Sequence, residues 1–125
     1  MEHYVVRVSA VGQDLQICPI SDSTPQADAC RLLDTDVTER LRVPVNPPFL
    51  SDSVLCYLID GRSGEKSLPA NICGTCLYHT GCTIYGDLLF VLCSKQAQNE
   101  EFCGMTKQQA EQLSIWLREQ LRFLD

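Results

Sequence analysis

Four groups able to bind a metal or act as nucleophile and base fall within ten residues, Cys73-Gly-Thr-Cys76-Leu-Tyr-His79-Thr-Gly-Cys82. A Cys-x-x-Cys pair has the knuckle spacing of zinc sites, whose thiolates meet the metal at about 2.3 Å. Such sites usually draw their second pair of ligands from a distant segment, whereas here His79 and Cys82 follow at once. Three residues advance a regular helix by roughly 300°, which leaves position 82 about half a turn away from position 73. The four groups therefore converge only where the backbone breaks, and Gly74 and Gly81 give it that freedom. Two other arrangements use the same residues: a tight iron–sulfur wrap with His79 in the third ligand place, and a hydrolase pair with Cys76 or Cys82 as nucleophile and His79 as base. Nucleophile and base usually meet through the fold rather than along the chain, and no orienting carboxylate lies nearby. Three thiols and an imidazole in a loop, holding nothing, ask least of the backbone.

A second group of residues has chemistry suited to a ligand rather than to a reaction. Arg62, Lys66 and Asn71 flank one turn, and Tyr57, Tyr78 and Tyr85 belong to neighbouring segments. Cations for phosphate and aromatic faces for a base would hold a nucleotide-like small molecule. Against this stands a solvated hairpin with its tyrosines half buried in a core. Arg40 and Arg42, two apart on one strand, carry the same ambiguity. Glycine-rich phosphate loops, His-Glu-x-x-His and Gly-x-Ser-x-Gly are missing from the sequence.

These residues must be positioned by a chain of 125 residues, 45% apolar and 21% charged, which is the size and composition of one globular domain. A net charge of −6 and a pI near 4.8 exclude generic nucleic-acid binding and oppose anionic lipid. Met1 to Ala10 reads as a strand with no basic, apolar leader, and Cys56 and Cys93 sit inside apolar runs as small hydrophobes. A cytoplasmic protein with reduced thiols is expected, and no apolar run is long enough to span a membrane.

The expected fold is α+β: a five- to six-stranded, mostly antiparallel sheet with two helices packed on one face. Residues 1–20 form an N-terminal hairpin turning at Gly12-Gln13-Asp14. Residues 25–34 form a helix that starts at Ser23-Thr24-Pro25, a hydroxyl cap followed by proline. The sheet occupies 37–93, with strands at Val37–Val45 and Val54–Asp60, a short return through Lys66-Ser67-Leu68, and the strongest strand over Thr83–Cys93, where Gly86 marks a bulge or close approach. Ser94 to Gly104 is polar loop. Thr106-Lys-Gln-Gln109 is a capping box opening a helix over 106–124, with Ala110, Leu113, Trp116, Leu117, Leu121 and Leu124 as its apolar stripe.

From Cys56 to the C-terminus, the order of features resembles a family of bacteriophages and mobile elements, the domain of unknown function numbered 3846. The residues that carry it are the apolar strand Val54–Asp60, Gly61 to Gly64, Leu68-Pro69-Ala70-Asn71-Ile72, the glycine-containing strand Thr83–Val91, and Glu101-Phe102 before the final helix. Ile72 replaces the family's arginine after the asparagine. The resemblance implies a compact α+β fold and a phage or mobile-element origin, without a function.

The sequence thus leads to a small non-enzymatic binding protein without a cofactor, using Arg62, Lys66, Asn71 and Tyr85. Its ligand would be a nucleotide-derived immune signal or a host defence protein, sequestered by a homo-oligomer in the bacterial cytoplasm as counter-defence. The alternative is a zinc-stabilised protein-interaction module built on Cys73, Cys76, His79 and Cys82.

Overall fold

The computed structural model describes residues 3–44, 47–50, 53–78, 82–94 and 102–122. Strand β1 (His3–Val8) turns back into β2 (Leu15–Ile20), with Gly12 at φ +85° and Gln13 at φ +53° in the turn. Helix α1 (Pro25–Leu33) leads to β3 (Thr38–Arg42), which pairs with β4 (Ser53–Asp60). Helix α2 (Ile72–Tyr78), β5 (Leu88–Ser94) and α3 (Lys107–Gln120) complete the chain. The five strands make one antiparallel sheet in the order β2-β1-β5-β4-β3, so the last strand made is the central one.

Alternation along β5 explains the layering. Leu88, Phe90 and Leu92 face one core, and Leu89, Val91 and Cys93 face the other. Strand β4 divides the same way, with Leu55, Tyr57 and Ile59 on the first side and Cys56 and Leu58 on the second. A strand apolar on both faces needs a cover on each. Ala29 and Leu33 of α1 cover the second face; Ala110, Leu113 and Leu117 of α3, with Cys73 and Leu77 of α2, cover the first. The α+β class and the antiparallel sheet agree with expectation. The expected placement of two helices on one face does not, because three helices divide between both faces.

The terminal helix begins as its sequence implies. The Gln109 amide donates to Thr106 Oγ1 at 3.1 Å, and the Thr106 amide donates to Gln109 Oε1 at 2.9 Å. Helix α1 starts at Pro25 as expected, although Thr24 makes no side-chain cap. Its C-terminus closes on Asp34 in the left-handed region, φ 53°, with Thr35 N–H reaching back to Cys30 O at 3.0 Å.

Three expected features differ. The return strand at Lys66–Leu68 is replaced by a 3-10 turn, Ser63–Glu65, and only Ala70 pairs across to Tyr85. Regular pairing of the last strand starts at Leu88, because Gly86 at φ +84° turns the chain to give its N–H to Pro69 O at 2.8 Å. Within the expected loop Ser94–Gly104, of which residues 95–101 lie outside the described residues, Cys103 pairs with Leu92, and just after it Met105 pairs with Tyr4, where β1 and β5 are no longer paired with each other. Val45, Glu101, Phe123 and Leu124 lie outside the described residues.

Candidate functional site

Arg62 and Lys66 come together on one surface, as their spacing around the turn implies. They border an open depression of about 540 Å³, lined also by Cys30, Arg31, Asp34, Thr35 and Asp36. Both cations already have anionic partners. Arg62 holds Asp36 through Nε at 2.6 Å and Nη2 at 3.2 Å, and approaches Glu65 at 3.6 Å. Lys66 Nζ donates to Asp60 Oδ2 at 2.6 Å and to Asp34 O at 3.0 Å.

Asp60 anchors this arrangement. It ends β4 with its carboxylate buried, and accepts from Thr35 Oγ1 at 2.6 Å and from the Arg62 amide at 2.8 Å besides Lys66. Burial alone would raise its pKa, but these donors outweigh burial and hold it below the ordinary carboxylate value. Hydrogen bonding by Arg62 likewise lowers Asp36, and the same partnerships raise Arg62 and Lys66. Nothing local in the chain marks Asp36 and Asp60 as partners: they are 24 residues apart, and only the fold of α1 beside β4 brings both to the turn.

Lys66 and Asp34 also border a smaller pocket of about 290 Å³, into whose wall Arg7, Gly86 and Asp87 enter. Arg7 Nη2 donates to Asp87 Oδ2 at 2.6 Å, and the Ala10 amide donates to Asp87 Oδ1 at 2.9 Å. The buried Nε of Arg7 has no hydrogen-bond partner among the described residues.

Asn71 and Tyr85 do not line the depression. Asn71 is fully buried: Nδ2 donates to Val8 O at 3.2 Å and Gly86 O at 3.0 Å, and Oδ1 accepts from the Gly74 amide at 3.1 Å. Its amide is engaged in joining β1, the Gly86 turn and α2. Tyr85 is 45% exposed and pairs through its backbone with Ala70.

The cysteine window is helical at its start. Helix α2 turns Cys73 into the core, where burial pushes its thiol up to about 12. Cys76 is half-buried, Cys82 is exposed, and His79 lies outside the described residues. Among the described residues, no three His, Cys, Asp or Glu side chains gather as a metal site. The eight cysteines, all of them described, form no disulfide.

A cleft of about 560 Å³ that the sequence did not signal lies between the β1–β2 turn at Gly12–Leu15, Ile72, Arg118 and Leu121. Its walls come from three distant segments, and Gln13 is fixed there by donating to Ser9 O and Ala10 O and accepting from the Cys73 amide. No described helix is long and apolar enough to cross a membrane. No protein-family model matches the chain, and no curated protein or solved structure matches it.

Proposed function

We propose that this is a binding protein that takes up a phosphate-bearing, nucleotide-like small molecule on the surface around Arg62 and Lys66. The observation that supports this reading is the convergence of Arg31, Arg62 and Lys66 on one open depression. The Arg62–Asp36 pair is exposed, so its contribution to stability is small and a ligand phosphate can take the carboxylate's place on the guanidinium. Lys66 stays fixed by buried Asp60 and presents a positioned charge. The ionisable groups here are moved away from neutrality, Asp36 and Asp60 downward and Lys66 and Arg62 upward. Groups tuned in that direction hold charge and are poor at passing protons near neutral pH. In a phage or mobile element, the origin implied by the family resemblance, such uptake would sequester a host defence signal.

The test is thermal unfolding with a panel of cyclic and ADP-ribose-type nucleotides. A ligand present at 100 times its Kd adds about 2.7 kcal/mol of stability. Arg62→Ala should remove the shift while leaving the unliganded protein folded. Absence of any shift across the panel, with the protein intact, rejects the reading.

A further inference from the structure

Two buried thiols meet on the face of the sheet covered by α1. Cys56 is opposite Val91 and Cys93 is opposite Val54, so the two cysteines are diagonal neighbours on β4 and β5. They are 3% and 5% exposed and lie in one core cluster. From edge strand β3, Arg40 brings Nη1 to 3.5 Å from Cys93 Sγ. A neutral thiol packed as a small hydrophobe gains little from a guanidinium; a thiolate gains much.

We propose that Cys56 and Cys93 are a redox-active dithiol that a small hydroperoxide closes to a disulfide, with Cys93 the attacking sulfur and Arg40 its counter-ion. The thiolate is favoured at Cys93 by the Cys56 S–H donor and by Arg40, against the opposing effect of burial. Cys56, the donor, is raised in turn and keeps its proton. After Cys93 gives its proton to solvent, its sulfur attacks one peroxide oxygen. The S–O bond forms, the O–O bond breaks, and the departing alkoxide takes a proton from water to leave as an alcohol, or as water when the oxidant is hydrogen peroxide. The Cys56 sulfur, on the diagonally neighbouring residue, then attacks the Cys93 sulfenic acid. An S–S bond replaces the S–O bond, and hydroxide leaves with the Cys56 proton as water. Two thiols lose two electrons and one peroxide bond gains them.

Access follows from the placement of Arg40. Its side chain is half-buried on an edge strand beside the Cys93 sulfur, so a small oxidant approaches from that edge without separating β4 from β5. Closure brings the two sulfurs to about 2 Å, and from a diagonal spacing of roughly 7–8 Å it draws β4 and β5 together locally as the side chains rotate.

Hydrogen peroxide treatment, followed by alkylation of the unfolded protein and peptide mapping, tests the proposal. A Cys56–Cys93 cross-linked peptide should appear, at a rate that levels off with pH below the ordinary thiol value of about 8.5. Arg40→Leu should slow its formation by roughly tenfold. Cys56→Ala should leave a sulfenic acid on Cys93 that dimedone traps. Recovery of both cysteines as free, alkylated thiols while exposed Cys82 and Cys103 are oxidised overturns the proposal, as does an unchanged rate in Arg40→Leu. If the variants do not fold, the wild-type map and its pH profile decide alone.

Discussion

Asn71 commits its whole side-chain amide to the chain around it, to two carbonyls and one N–H on three different segments. Asn71→Ala strands those three groups in a fully buried site and, at the usual 1–3 kcal/mol per buried unpaired group, should cost at least about 3 kcal/mol. Urea unfolding would read this as a lower midpoint at constant slope. The residue type suggested ligand contact, yet its partners arise from the Gly86 turn and β1, which no local pattern around position 71 reveals. Asp60 gives a second prediction at this scale. Its folded-state pKa lies below the unfolded value of about 3.9, so its stabilisation is present above that pH and is lost as pH falls through the depressed value. Acid unfolding should therefore be less steep below about pH 4 in Asp60→Asn than in the wild type. The substitution also takes the anion from Lys66, so the variant should be less stable at neutral pH. Equal slopes in the two proteins would show that Asp60 is not the coupled group.

Elements whose signals are local were legible in the sequence. The Thr106–Gln109 box forms with both reciprocal bonds, and β1, β2 and β4 fall where alternation or apolar runs place them. Thr106→Ala should cost about 1 kcal/mol and lower Tm by roughly 3–5 °C, with Thr106→Ser restoring most of it. A melt of the three proteins decides whether the cap contributes to stability. Segments governed by distant contacts were not legible. Thr83–Cys93 reads as one strand, but the Gly86 N–H is drawn to Pro69 O, and a Cβ at Gly86 would lie 2.9 Å from Leu68 Cδ1. Cys73–Tyr78 reads as a loop around reactive residues, but Cys73 and Leu77 are one helical turn apart and both reach the core. The candidate site divides similarly: the turn brings Arg62 and Lys66 together, whereas their partners Asp36 and Asp60 required the fold.

At the scale of the whole molecule, an open sheet leaves two edges, β2 and β3. Pro19 interrupts one, and Glu39, Arg40 and Arg42 mark the other with charge, features that discourage edge-to-edge association. The interior is less tolerant of interruption. A fragment ending at Asp87 keeps both hairpin pairs but lacks the strand between them. It should bind a hydrophobic dye and unfold without a cooperative transition, whereas a sharp transition would show that the hairpins pack without β5. Placing the latest strand at the centre also sets a clock on biosynthesis. Until residues 88–94 leave the ribosome, β1 and β4 each carry an apolar edge with no neighbour, so the nascent chain passes through its most aggregation-prone interval before it can acquire a native sheet.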